Sequence, residues 1–274
     1  MDTINELVKG KQYNKVIDMF MGSGNLILNV NCKANKYIGN DKTKLIPKLY
    51  TEIPKYKYTL EDLEVIVNQF NRFSEKDDYY KFRNHWNQKY VDDKFDKSFI
   101  YETILLLKMC SNSMIRFNSQ GVFNQGFRGL GKNKEFFADS MKKLCVDGLN
   151  NLSDTLKSRL YEFSISDFLD LSHEDLYGKD NLLLIDPPYI LQQNMYTQDF
   201  SQKHDKCLLD ILHKTKSDFV YFNYLNRDGQ NNDNLNNITK QFNTIHINSK
   251  TASGQGRSQG SRKVKEVIIT NVYM

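Results

Sequence analysis

The chain has 274 residues, of which 39% are hydrophobic and 26% charged, and its net charge is +5. That balance excludes a wholly disordered chain, and the length allows one or two domains. Apolar runs such as residues 182–185 and 104–107 stop far short of the ~18 residues that a membrane helix needs.

The opening segment MDTINELVKG holds no apolar signal core, so a cytoplasmic protein with no membrane partner is expected. Cys32, Cys110, Cys145 and Cys207 are too widely spaced for a CxxC, and no histidine pair completes a zinc pattern. Free thiols in a reducing compartment, and no metal, are expected.

In chain order, the first apolar run is residues 15–20, which leads into Asp18-Met19-Phe20-Met21-Gly22-Ser23-Gly24. Glycines at a strand-to-helix turn let backbone approach a ligand at the edge where open α/β sheets bind small molecules, although most such turns are only turns. The second run, residues 36–41, closes on Asp41, where doubly wound folds place an acid that accepts from a ribose. Residues 51–150 then break the alternation. Residues 60–70 read as an amphipathic helix capped by Thr59, and residues 99–109 as another helix. An insertion of this size on an α/β core suggests a recognition or lid domain. The expected division is therefore 1–50 and 151–274 for the core and 51–150 for a helical insertion.

The third run is residues 160–165, followed by Ser166-Asp167-Phe168, and the fourth is residues 182–185, followed by Asp186-Pro187-Pro188-Tyr189. Residues 201–216 carry Leu208, Leu209, Ile211 and Leu212 at helical spacing and lead into a fifth run at 218–223, which makes a strand–helix–strand unit. Residues 226–237 read as a low-complexity polar loop, and a last run covers 264–271.

Charge is unevenly placed. Residues 110–134 hold Arg116, Arg128, Lys132 and Lys134 without an acid, and residues 250–265 hold Lys250, Arg257, Arg262, Lys263 and Lys265 without an acid. Either stretch alone could be a solvated loop. Lys and Arg on Gly- and Ser-rich backbone also suit contact with phosphodiesters.

The Asp186–Tyr189 turn carries the most chemistry. Two of the chain's four prolines lie in it. Proline cannot donate to a sheet ladder, so the pair ends the strand and stiffens the turn. The turn offers one carboxylate, exposed carbonyls and an aromatic ring, a set that suits an amino group on a planar ring. The exocyclic amine of adenine is a poor nucleophile because its lone pair is delocalised. Acceptors for its two hydrogens would favour sp³ nitrogen, and Tyr189 would stack on such a base.

The ordered set of residues 18–24, Asp41, Asp167-Phe168 and Asp186–Tyr189 resembles the Dam-like (alpha) class of DNA adenine-N6 methyltransferases, with wording nearest to the T-even phage type. The segment from Arg116 through Asn118, Gly121 and Phe123 to Asn124 resembles that class's Arg-x-Asn-x-x-Gly-x-Phe-Asn signature in its DNA-recognition region. The likeness runs over residues 14–271.

The resemblance implies a Rossmann-like, S-adenosylmethionine-dependent methyltransferase core of the α/β class with an inserted, mainly helical DNA-recognition domain. It further implies that Phe20, Gly22, Gly24, Asp41, Asp167, Phe168 and Asp186 bind S-adenosylmethionine, and that Asp186, Pro187 and Tyr189 hold the target adenine. Double-stranded DNA would meet Met114, Arg116, Asn118, Asn124, Arg128, Tyr196, Arg257 and Arg262. The target would be flipped out of the duplex, with GATC the expected site, in a bacterial or phage-infected cell.

Two departures accompany the likeness. Dam-like enzymes usually carry an aromatic-x-Gly-x-Lys loop ahead of the first strand, and residues 1–13 do not contain it; Lys9-Gly10-Lys11 reads as the end of the helix that follows that loop. A partner chain, or an upstream start, would be expected to supply it. The alternative placement at Tyr37-Ile38-Gly39 with Lys42 conflicts with Asp41 as the second-strand acid. After Phe123-Asn124, the chain reads Gln125-Gly126-Phe127-Arg128-Gly129-Leu130-Gly131, without the proline of the usual turn. The competing readings are a DNA-binding protein that keeps the fold without catalysis, and the same chemistry on cytosine N4 or RNA.

Overall fold

A computed structural model describes residues 1–70, 73, 75–129, 139–192, 200–247 and 264–273. The chain forms two compact units, Met1–Pro47 with Leu160–Met274, and Lys48–Arg159.

The first unit is built on one sheet. Its main strands are β1 (Gln12–Asp18), β2 (Lys33–Asp41), β3 (Tyr161–Ile165), β4 (Asn181–Ile185), β5 (Asp218–Arg227), β6 (Asn243–Ile247) and β7 (Val264–Thr270). Their spatial order is β3-β2-β1-β4-β5-β7-β6. The strands from β3 across to β5 run parallel. β7 is antiparallel to β5, and β6 is antiparallel to β7. The chain therefore starts mid-sheet, winds outward through β2 and β3, and returns to place β4 against the other side of β1. The β1/β4 boundary is a topological switch point, and in open α/β sheets the crevice at the carboxyl ends of such strands is where ligands bind.

The sheet is covered on both faces, which is why β4 is apolar throughout its centre and wholly buried. Strand periodicity sends Ile17, Leu183, Ile185, Phe219 and Tyr221 into one core, against Leu176 of helix His173–Tyr177 and Leu208, Ile211 and Leu212 of helix Gln202–Lys214. Their neighbours Val16, Leu182, Leu184 and Val220 pack in a second core, against Ile4 and Leu7 of helix Asp2–Leu7 and Ile27 of helix Asn25–Asn29.

Several boundaries differ from the sequence reading. β1 begins at Gln12 and stops at Asp18, because Met19 and Phe20 already belong to the turn. β2 begins at Lys33, ahead of its apolar part. β6 has no counterpart in that reading: Asn243–Ile247 is a short, partly buried edge strand whose alternation is weak. Residues 226–237 are not a polar loop. β5 continues to Arg227, the chain turns back so that Gln230–Asn231 pairs with it, and a 3-10 turn at Asp233–Leu235 drives Leu235 into the core at 0% exposure. One buried leucine among many asparagines is a small signal.

The second unit is helical, with helices Leu60–Gln69, Lys76–Val91, Lys97–Met109 and Asp139–Lys157. Thr59 caps the first by accepting from the Asp62 amide at 3.3 Å, and Asp96 starts the third by accepting from the Phe99 amide at 2.8 Å. That cap places the helix start at Lys97, earlier than the expected residue 99. The core is aromatic. Trp86 is fully buried, stacks on Phe99 and Tyr90, and donates its indole N–H to the Thr103 hydroxyl at 2.9 Å. Among the described residues, no helix is long and apolar enough to cross a membrane.

Candidate active site

Parallel register brings the strand-end residues to one edge of the sheet. Asp18 closes β1 beside Gly39 of β2 and Leu184 of β4. The chain ends beyond it are sewn together. The Met19 amide donates to the Leu184 carbonyl at 3.0 Å, the Met21 amide to the Asn40 carbonyl at 2.8 Å, and the Ser166 amide to the Asp41 carbonyl at 3.2 Å. Asn40, 1% exposed, is the fastening. Its side-chain amide donates to the Met19 and Ser166 carbonyls, and its oxygen accepts from the Ser164 and Ser166 hydroxyls. The sequence reading missed Asn40, since one asparagine in an apolar run looks like an edge residue.

The turn after β1 needs its glycines. Gly22 has φ 49° and Gly24 φ 77°, the left-handed region that costs a side-chain-bearing residue strain. Asp41 holds this turn from β2: its carboxylate accepts from the Gly22 amide at 2.8 Å and from the Thr43 amide and hydroxyl at 2.8 and 2.6 Å. A carboxylate has about four lone-pair sites, so Asp41 retains capacity for ligand hydroxyls.

Asp18 is buried at 0% exposure, and among the described residues neither carboxyl oxygen has a partner in hydrogen-bond geometry. Burial first, and then the carboxylates of Asp186 and Asp41, push its pKa up to about 8, with the Phe20 and Ile27 backbone amides offsetting part of the rise. An acid held in this way is a ready partner for a cationic centre.

Phe20, Phe168 and Phe200 gather beside the turn. The Phe20–Phe168 centroids are 5.0 Å apart, and Phe20–Phe200 are 6.0 Å apart. Asp167 caps the 3-10 turn Phe168–Asp170 by accepting from the Leu169 amide at 3.1 Å, and this fixes Phe168 in the cluster. Phe200 was not singled out from sequence, because it follows no apolar strand. The orphaned acid, the left-handed turn and the aromatic group fit a ligand with a positive centre, a sugar and a planar ring.

Beyond β4, Pro187 is buried, while Asp186 opens to solvent on one side and is crowded by protein on the others. That crowding raises the Asp186 pKa; the Tyr189 hydroxyl lowers it and the Glu266 carboxylate raises it. The Tyr189 hydroxyl donates to Asp186 Oδ1 at 2.7 Å, and its ring meets Tyr224 edge-on with centroids 4.3 Å apart. Burial first, and Asp186 next, raise the Tyr189 pKa, so its hydroxyl stays protonated.

The second unit carries the Arg116–Asn124 segment as a tight hairpin. Phe117 and Phe123 form a bridge, and the Asn118 side-chain oxygen accepts from the Gln120 and Val122 amides at 3.0 Å each. Asn118 is thus a turn-former through its oxygen. The hairpin is pinned to helix Lys76–Val91. Asn87 donates to the Phe123 carbonyl at 3.0 Å and accepts from its amide at 2.9 Å, and Tyr79 and Arg83 donate to the Gln125 carbonyl. Arg116, Asn124 and Arg128 are at least partly exposed, and Met114 is half-buried. Tyr196, Arg257 and Arg262 lie outside the described residues, as do Lys132, Lys134, Lys250 and Lys263. Among the described residues, no group of His, Cys, Asp and Glu could hold a metal ion.

The family model described as D12 class N6 adenine-specific DNA methyltransferase matches residues 1–253. The chain is similar to the type II methyltransferase M.FokI of Planomicrobium okeanokoites, 26% identical over 93% of this chain and 38% of that protein. It is similar to the modification methylase StsI of Streptococcus sanguinis, 26% identical over 95% of this chain and 39% of that protein. It is also similar to the type II methyltransferase M1.LlaDCHI of Lactococcus lactis subsp. cremoris, 24% identical over 95% of this chain and 87% of that protein. The chain thus spans about two fifths of the length of the first two relatives. Among solved structures, the rRNA methyltransferase aviRa from Streptomyces viridochromogenes aligns over 99% of this chain and 82% of its own, with TM-score 0.36 and 11% identity.

Proposed function

The chain belongs to the D12 class N6 adenine-specific DNA methyltransferase family, and from that premise we propose that it methylates N6 of a flipped-out adenine in duplex DNA, using S-adenosylmethionine. The observation that carries this reading is the placement of Asp186–Tyr189 beside the Asp18–Gly24 turn, across the β1/β4 switch point.

In this reading, Asp18 faces the positive part of the cofactor, Asp41 the ribose hydroxyls, and Phe20, Phe168 and Phe200 the adenine, while Gly22 and Gly24 let the backbone lie close. Asp167 acts by holding Phe168. S-adenosylmethionine, when bound, supplies a methyl group on a sulfonium that leaves as a neutral thioether. Asp186 and the Pro187 carbonyl accept the two amine hydrogens of the target base and so localise the nitrogen lone pair. Tyr189 stacks on the ring, and the raised basicity of Asp186 suits it to take the proton that N6 must lose. Holding the amine in line, together with this polar clamp, accounts for the rate.

Flipping the base costs a few kcal/mol of stacking and pairing. Arg116, Asn124 and Arg128 on and beside the pinned hairpin, with Met114 and Asn118 shaping it, and Tyr196, Arg257 and Arg262 elsewhere, are proposed to meet the DNA. Phosphate contacts by the arginines offset the flipping cost. GATC is the target proposed for the first assay, and the T-even-like wording of the motifs supports it. A type II restriction-modification setting is proposed from the relatives, whose names include a modification methylase and type II methyltransferases.

The test is incubation with S-adenosylmethionine and duplex DNA, followed by mass spectrometry of nucleosides. N6-methyladenine at a defined site, lost with Asp186→Ala, is the expected result. No N6-methyladenine in any DNA substrate overturns the reading, and methylation confined to other sites overturns GATC alone.

A further inference from the structure

A second carboxylate stands next to the Asp186–Tyr189 turn and comes from the far end of the sequence. Glu266 lies on β7, opposite Tyr224 of β5 in the antiparallel register. Its Oε1 is 3.5 Å from the Tyr189 hydroxyl, which at the same time donates to Asp186 Oδ1 at 2.7 Å. One phenolic proton therefore faces two carboxylates. Tyr224 packs edge-on against Tyr189, with the Arg227 guanidinium 5.8 Å from the Tyr224 ring centroid. The Tyr189 ring is held from one side while its hydroxyl sits between two acceptors.

This geometry has a consequence for the reaction proposed above, on which the inference rests. With the hydroxyl on Asp186, one oxygen of the base-accepting carboxylate is already engaged. An incoming amine must compete with the phenol for it. A hydroxyl can serve one acceptor at full strength, and Glu266 is within reach as the other. We propose that Glu266 is a positioning residue that takes over the Tyr189 hydroxyl when the target base enters, which releases Asp186 for the amine and keeps the Tyr189 ring in its stacking plane. The exchange moves a hydrogen bond and transfers no proton between residues.

Electrostatics point the same way. The Glu266 carboxylate raises the Asp186 pKa, after burial and against the lowering effect of Tyr189. Among the described residues, Asp18 and Tyr224 are the other titratable groups that act on Asp186, and the Arg227 guanidinium lies over the Tyr224 ring. Removing the Glu266 charge alone should therefore let Asp186 ionise at lower pH.

The test is a double-mutant cycle on the full chain, with kcat, KM for DNA and the pH–rate profile measured for wild type, Glu266→Ala, Glu266→Gln, Tyr189→Phe and Tyr189→Phe with Glu266→Ala. Glu266→Ala is expected to lower kcat roughly tenfold, the scale of one hydrogen-bond competition, with KM for DNA nearly unchanged. Glu266→Gln still offers an acceptor oxygen. It should recover most of kcat and shift the acid limb of the profile to lower pH. In the Tyr189→Phe background no phenol competes, so Glu266→Ala should cost nothing further.

Equal losses from Glu266→Ala with Tyr189 intact and with Tyr189→Phe overturn the proposal, as does a Glu266→Ala protein with wild-type kcat. An unmoved acid limb in Glu266→Gln also overturns it. A wild-type chain that methylates no DNA overturns the methyltransferase reading itself, and the positioning role falls with it.

Discussion

Asp18 carries a cost that the fold offsets only in part. Its pKa of about 8 against an ordinary 3.8 means that the folded chain binds a proton which the unfolded chain releases over most of that interval. Stability from this group is full below pH 3.8 and falls as pH rises toward about 8. Asp18→Asn removes the titration. It should raise Tm at pH 7 and flatten the pH dependence of denaturant midpoints over that window. The same variant should weaken S-adenosylmethionine binding at least tenfold by calorimetry, on the order of one charge-assisted interaction. A variant that is more stable but binds less well is the pattern of a residue kept for a ligand. Asp186→Asn is the companion: an amide cannot accept through both of its heads or take the amine proton, so a fall of about 10²-fold or more in single-turnover rate is expected.

At the scale of elements, the strand ends hold their positions through side chains rather than ladder bonds alone. Asn40 links the turn after β1, its own strand β2 and the end of β3 through four hydrogen bonds. Asn40→Ala removes the partner of the buried Met19 carbonyl and of the half-buried Ser166 carbonyl, Ser164 hydroxyl and Ser166 hydroxyl. At about 1–3 kcal/mol for an unsatisfied buried group and less where water reaches, a loss of about 2–3 kcal/mol of stability should be read by urea unfolding. Asn87 does the corresponding work in the helical unit, where both its head atoms hold the Phe123 backbone. Asn87→Ala should loosen the Arg116–Asn124 hairpin and weaken DNA binding, while S-adenosylmethionine affinity stays at the wild-type value. Gel shift and calorimetry on one preparation separate the two effects.

For the whole molecule, the net charge of +5 predicts affinity for a polyanion, and the slope of log K against log salt measures how much of it comes from phosphate neutralisation. Arg116 and Arg128 both reach solvent on the described part of the hairpin region. Replacing either with Ala should lower DNA affinity and reduce that slope by about 0.9 for each phosphate left unneutralised. A loss of affinity with an unchanged slope would assign that arginine to a base edge instead. The comparison needs identical duplexes from about 50 to 200 mM salt, where counterion release dominates.

The parallel strands, the helices near residues 60–70 and 99–109, and the end of β4 at its Pro-Pro turn were legible in the amino-acid order, because strand and helix periodicities and the stiffness of a Pro-Pro turn are local properties of the chain. Pairing and burial controlled the rest, and these emerge only in the folded molecule. They set the order β3-β2-β1-β4-β5-β7-β6, and with it the meeting of Asp18 with Asp186 across the switch point. They placed Glu266 of the last strand at the Tyr189 hydroxyl and Asn40 among three strand ends. They also turned residues 226–237 inward through Leu235, and they made Asn118 a turn-former rather than a freely presented amide. Strand pairing is a long-range choice made by whole faces burying together, so a residue whose partner lies far along the chain leaves almost no mark on its own neighbours.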